Sequence, residues 1–293
     1  MNKFLLLFLF VVLAAGFAAA EDIGLTAGLE FGIVDMNKPN DAEDVYPYLD
    51  VSVEYENSFL DDALDIYAGL TFDVGFTQEM NDEGDEVNPS SLSFDFSIGY
   101  NLGLGDASTL SFILGNENNI DFVSTEDNVL GIIKPGIKFN QNMGDNGDFY
   151  AQADVPIYYL YYGLEKDDTF AGLDLTVGWA SAFGLGLEAG GHILFSPDDD
   201  TFNGFTGISF TASYENGPIY AELGAAIPVK NLDTGAPYSY FDTSAGMGVS
   251  ITPMFSYTFE FGLSVYLSLT FDGIGVTDND PGISPAIGVT YSF

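Results

Sequence analysis

From residue 23 onward the side chains change character at almost every second position. Ile23, Leu25, Ala27, Leu29, Phe31 and Ile33 alternate with Gly24, Thr26, Gly28, Glu30 and Gly32. A period of two gives a β-strand one apolar and one polar face, which a helix of 3.6 residues per turn cannot do. The pattern recurs to the C-terminus and predicts an all-β chain of fourteen segments: 22–34, 45–56, 64–77, 90–102, 108–115, 129–139, 148–162, 171–180, 185–195, 204–215, 219–230, 240–251, 256–272 and 282–293. If one hairpin is misread, the count is twelve. In the third segment Leu64, Ile66, Ala68, Leu70, Phe72, Val74 and Phe76 form one face without interruption. In the thirteenth, Tyr257, Phe259, Phe261, Leu263, Val265, Leu267, Leu269 and Phe271 do the same.

Most segments reach the roughly 9–11 residues that a tilted strand needs to cross a bilayer. Their connections alternate between long polar stretches, such as 78–89 and 196–203, and tight ones, such as 103–107, 181–184, 216–218 and 252–255. Long loops at one end and short turns at the other are the pattern of a transmembrane barrel. A secreted β-sandwich also alternates, but its strands are commonly short and its apolar faces must be buried against each other. Here the apolar faces are long rows of Leu, Phe, Ile and Val, and closure would satisfy every backbone group in hydrocarbon. The expected fold is therefore a closed up-and-down antiparallel transmembrane β-barrel, forming one domain over 21–293. Aromatic residues near segment ends (Tyr46, Tyr48, Tyr158, Tyr159, Tyr161, Tyr162, Tyr238, Tyr240, Phe241) are placed as interfacial girdles would be.

Proline removes a ladder hydrogen bond. Pro47, Pro156, Pro228 and Pro285 fall toward the loop-side ends of their segments, but Pro135 breaks the middle of the sixth and predicts a bulge or an inward-bent strand.

Residues 1–20 read as a cleavable signal peptide, with Lys3 in a positive n-region, an apolar run from Phe4 to Phe17, and Ala18-Ala19-Ala20 before Glu21. The run is too short and wrongly flanked for a membrane anchor. The chain has no cysteine, which excludes disulfides, a lipidated cysteine and thiolate metal sites. Its formal net charge is −38, and loss of Lys3 with the leader makes the remainder one unit more negative. A nucleic-acid partner is excluded by that balance. High charge alone would suggest disorder, but 47% of the residues are hydrophobic and 15% aromatic, so a structured chain is expected.

At the C-terminus Ile287, Val289, Tyr291 and Phe293 alternate with Gly288, Thr290 and Ser292. This ending resembles the C-terminal signal strand of bacterial outer-membrane proteins. The resemblance implies recognition by the barrel-assembly machinery, export, and insertion among the lipids of the outer membrane. In strand number and length the chain resembles monomeric porins of about fourteen strands. It departs from many outer-membrane proteins in having almost no Lys or Arg, and it lacks an obvious plug domain.

The polar face carries the functional expectation. Asp50, Glu54, Asp65, Asp73, Asp95, Asp154, Asp174, Glu188, Glu222, Glu260 and Asp272 fall on it, against Lys134, Lys138, Lys230 and the single His192. A barrel of this strand number is wide enough for a channel unless loops or side chains fill it. Acidic linings concentrate counter-ions and favour cations. The expected function is a passive, cation-favouring pore for small hydrophilic or cationic solutes. The alternative is a non-conducting structural or adhesin-like barrel that presents acidic loops. An enzyme is disfavoured, because His192 has no Gly-x-Ser-x-Gly motif beside it. No cofactor is expected beyond Ca²⁺ or Mg²⁺ held loosely at acidic loops, for which Asp198, Asp199 and Asp200 are the candidates; no EF-hand spacing accompanies them.

Overall fold

The computed structural model describes residues 24–34, 46–60, 63–76, 79–80, 86–87, 90–121, 128–161, 170–195, 204–228, 249–274 and 282–292. Fourteen strands form one sheet: β1 (Leu25–Val34), β2 (Tyr46–Phe59), β3 (Leu64–Gly75), β4 (Ser90–Gly103), β5 (Ser108–Asp121), β6 (Asn128–Asn142), β7 in two stretches (Asp148–Asp154 and Ile157–Tyr161), β8 (Phe170–Ala180), β9 (Leu185–Phe195), β10 (Gly204–Asn216), β11 (Ile219–Pro228), β12 (Val249–Thr258), β13 (Leu263–Ile274) and β14 (Gly282–Ser292). Each strand pairs antiparallel with the next, and β14 returns to pair with β1 from Thr26↔Ser292 to Gly32↔Ala286. The sheet is closed, so no edge is left with unpaired backbone groups. A two-stranded ribbon, Glu79–Met80 with Glu86–Val87, lies in the connection after β3.

The alternation decides which way each side chain points. Leu29, Phe31, Phe94, Phe96, Phe112, Leu114, Leu175, Val177, Leu223 and Leu267 are all more than a third exposed although they are apolar. Such a surface matches hydrocarbon and is wrong for water. The opposite parity turns Asp, Glu, Ser, Thr, Gly and Tyr inward. Few side chains are fully buried, because a barrel of this size has no central packed core; Pro156 is one that is.

At one end the strands are joined by short turns. Gly184 at φ +92°, Gly217 at φ +59° and Gly262 at φ +89° supply the left-handed backbone that three of them require. Trp179 on the outer face donates from Nε1 to the Asn146 carbonyl of the 143–147 turn at 2.8 Å. At the next such end Phe259 packs edge-on to Tyr257 and stacks on Phe261, at 5.0 and 5.5 Å between centroids. These rings form an aromatic belt where apolar wall meets turn.

The proline expectations resolve differently from their sequence reading. β6 runs unbroken through Pro135 in one register, with neither bulge nor inward bend, and the interruption falls instead at Val155-Pro156 in β7. The cause lies in the hydrogen bonds. Val155 N–H donates to the Pro135 carbonyl at 2.8 Å, and Gly172 N–H donates to the Pro156 carbonyl at 2.7 Å. In an antiparallel hydrogen-bonded pair each residue returns the bond. Neither proline has an N–H to return, so β7 loses one ladder bond on each side at adjacent residues. Pro156 is therefore interior to β7, not at its end. The one register shift in β10 lies opposite His192 and Ile193.

Several boundaries also move, two of them instructively. β5 extends to Asp121, beyond the expected 115, because its outward positions Asn116 and Asn118 are polar and end the apolar signal. Their side chains bond the Ile132 carbonyl and each other instead. The expected turn at 252–255 is inside β12, with Pro253 paired to Leu223, and the real turn is 259–262. Thr258 pairs with Ser264 and Phe259 N–H bonds the Leu263 carbonyl, so an odd number of residues separates the partners; parity is preserved and the apolar alternation runs through the turn unbroken. Glu260, expected on the polar inner face, consequently lies exposed in that turn.

Candidate functional site

The inner wall is the surface on which polar chemistry collects. Cross-strand register places Glu30 opposite Asp50, Asp50 opposite Asp73, and Glu54 opposite Gly69, which in turn faces Asp95. Glu117 follows Asp95 on β5, and its carboxylate takes the Lys134 ammonium at 2.5 Å. Lys134 is also close enough to Asp95 and Asp154 to act electrostatically on both. Asp50 and Asp73 are like charges directly opposed, and Asp50 Oδ1 is buried without a hydrogen-bond partner. An opposed like-charge pair is unfavourable in a sheet unless a cation or proton intervenes.

Several carboxylates are held by the wall. Asp65 accepts from Ser58 Oγ at 2.7 Å and from Asn101 Nδ2 at 2.6 Å, and Asn101 Oδ1 accepts from Ser111 Oγ at 2.6 Å. Asp154 accepts from Gln152 Nε2 at 2.7 Å. Tyr48 donates to Glu30 at 2.8 Å, Tyr150 to Glu188, and Tyr220 to Glu222. The Lys138 ammonium sits 4.5 Å from the centroid of the Tyr150 ring, a cation–π distance.

The tyrosines lie along the wall. A Cβ added at Gly32 would meet the Tyr48 ring, at Gly178 the Tyr150 ring, and at Gly288 the Tyr266 ring. Each ring therefore covers a glycine on a neighbouring strand. Glycine contributes no side chain to a strand and weakens it; the tyrosine restores that contact and turns its hydroxyl toward an acid. Tyr48, expected in the interfacial girdle, is one of these inner-wall rings.

The single histidine is buried, 4% exposed, with Nδ1 against Asp174 on the facing strand. The two residues and Ser209 line a recess of about 30 Å³. That holds a water and no organic substrate. The Pro156 ring and the His192 edge both approach Gly172, where a side chain would not fit.

Asp50, Glu54, Asp65, Asp73, Asp95, Asp154, Asp174, Glu188, Glu222, Asp272, Lys134, Lys138 and His192 thus stand at inward positions of β2, β3, β4, β6, β7, β8, β9, β11 and β13. They spread around the wall and do not converge on one point. Glu260 is in a turn, and Lys230 lies outside the described residues, as do Asp198, Asp199, Asp200, Phe293 and the leader 1–20. Among the described residues no three His, Asp or Glu side chains are grouped as a metal would need. Ile287, Val289 and Tyr291 occupy outward, exposed positions on β14. Glu30, Glu117 and the wall tyrosines were missed as site residues. Glu117 is in phase with Ser111 and Gly115, and that parity was the signal available for it.

No family model matches the chain. No curated protein sequence matches it. Among solved structures it is similar to the TodX deltaS2S3 mutant, a monoaromatic hydrocarbon channel, at 12% identity over 95% of this chain and 92% of that one, with a TM-score of 0.51. It is also similar to the Pseudomonas putida toluene transporter TodX, at 12% identity over 95% and 91% with a TM-score of 0.48. A third is outer membrane phospholipase A from Escherichia coli, at 12% identity over 91% and 92% with a TM-score of 0.43. The first shows a shared fold. The chain is a closed fourteen-stranded antiparallel barrel of the kind found in outer-membrane proteins. A shared fold does not assign a function, so function rests on this chain's own wall.

Proposed function

We propose that this protein resides in a bacterial outer membrane, reached by export on a signal at residues 1–20, and acts as a passive, cation-favouring channel for small hydrophilic solutes. The observation that carries this reading is the inner wall, where carboxylates from nearly every strand face two lysines among the described residues, Lys134 and Lys138. Both lysines are engaged at the wall, one by Glu117 and one by the Tyr150 ring. Net negative potential in a low-dielectric enclosure concentrates cations and repels anions. The flat-lying tyrosines support conduction, since Tyr48, Tyr150 and Tyr266 cover wall glycines and so leave the lumen to solute. Hydroxyls of Ser, Thr and Tyr between the acids give a hydrophilic solute hydrogen bonds to exchange for those of water. Entry of divalent cations at acidic loops, Asp198, Asp199 and Asp200 among them, would add to the same field.

The test is osmotic swelling of liposomes containing the purified chain. Swelling in isotonic solutions of small neutral sugars and faster swelling with small organic cations are expected. Liposomes indistinguishable from protein-free ones would overturn the channel and favour a non-conducting barrel that presents its loops.

A further inference from the structure

The lipid-facing wall is not evenly filled. Two adjacent rows of outward side chains cross β7 to β11 just inside the short-turn end. In one, Phe149, Trp179, Leu187, Ala212 and Leu223 are cross-strand neighbours, and in the other Val177, Ala189, Phe210 and Ala225. The alanines stand between large residues, and the wall is hollowed over them. The hollow measures about 480 Å³ and is bounded by Phe149, Trp179, Leu187, Phe210 and Leu223. Small-molecule sites span roughly 300–1,000 Å³.

We propose that this hollow is a binding site for one acyl chain of a phospholipid whose headgroup carries an ammonium, in the leaflet on the short-turn side. The proposal rests on the membrane reading above. Its chemistry follows from three observations. The hollow is lined almost wholly by carbon, so its occupant is hydrocarbon. It lies at belt level, because Trp179 reaches the Asn146 carbonyl of the adjoining turn. A lipid whose chain fills it therefore has its headgroup at the turns. An exposed carboxylate stands there, Asp145 in the same 143–147 turn whose Asn146 carbonyl Trp179 reaches, and no lysine accompanies it among the described residues. A carboxylate there attracts a zwitterionic headgroup through its ammonium and repels a headgroup that is only anionic. The near absence of cations, odd for a protein in contact with phospholipid, becomes a selectivity for which phospholipid it holds.

Trp179 is the only tryptophan in the chain, so its fluorescence reports the hollow directly. The full-length mature chain is reconstituted into phosphatidylglycerol vesicles, whose headgroups carry no ammonium, containing a minor share of phospholipid with brominated acyl chains. The brominated lipid is either phosphatidylethanolamine or phosphatidylglycerol. Quenching by the ethanolamine lipid should exceed its mole share by about twofold to fivefold, the range expected of exposed ion pairs. The glycerol lipid should quench at or below its share. Ala212→Leu fills the hollow and should return the ethanolamine lipid to its share; D145N should do so without touching the hollow. Quenching at mole share by both lipids in the unaltered chain, or a preference for the glycerol lipid, would overturn the site while leaving the membrane reading intact. Absence of quenching by either lipid would overturn both.

Discussion

At the scale of single residues, the inner wall is built from tyrosine, glycine and acid acting together. Tyr266 lies over Gly288, and Tyr48 lies over Gly32 with its hydroxyl on Glu30. Gly288→Val would drive a branched side chain into the Tyr266 ring. Overpacking of this kind costs about 1–3 kcal/mol, and the displaced ring would enter the lumen. Lower stability in urea titration and lower single-channel conductance are expected together. A loss of stability with unchanged conductance would mean that the ring was not lining the path. The charge of the wall is tested by Asp95→Asn, a change on the inner face between Gly69 and Glu117. It should lower the cation-to-anion permeability ratio. Glu260→Gln removes the same charge from the exposed turn and should change that ratio far less, so equal effects would contradict the placement of the two residues.

At the scale of the strand, β6 and β7 show how two prolines from neighbouring strands weaken one place. Pro135 and Pro156 each accept a ladder bond and return none, at adjacent positions along β7. Pro135 points outward, opposite Leu114, so Pro135→Val can restore the missing donor without disturbing the lumen. A hydrogen bond regained in this way contributes about 0.5–1.5 kcal/mol. Amide exchange should slow in β7 around Val155 and Ile157; unchanged exchange there would show that something other than the lost bonds interrupts the strand. Strand identity was legible in the sequence wherever one face is continuously apolar, as in β1, β3 and β14. It failed where side chains satisfy the backbone or each other at outward positions, as Asn116 and Asn118 do on β5. It failed again where an odd number of residues between paired partners kept the parity of Tyr257, Phe259, Phe261 and Leu263 through a turn. Gly262, at positive φ, was the local mark of that turn. The inward acids were legible by parity alone, but their partners were not, because Tyr48–Glu30, Lys134–Glu117 and Asp174–His192 depend on register between strands.

At the scale of the whole molecule, closure of β14 on β1 explains the composition. A closed barrel can be rich in apolar residues and strongly acidic at once, because the two characters face opposite sides of a single sheet. Such a barrel should resist SDS until heated, so boiled and unboiled samples should differ in electrophoretic mobility; identical mobility would argue for a sandwich. The acidic enclosure makes the sharper claim, that ions of one sign dominate the current. The direct measurement is the zero-current potential of the purified chain in a planar bilayer with a potassium chloride gradient across it. The wall described here predicts discrete conductance steps and a potential of the sign set by potassium moving down its gradient, whereas a potential of the opposite sign, or no conductance at all, would contradict it.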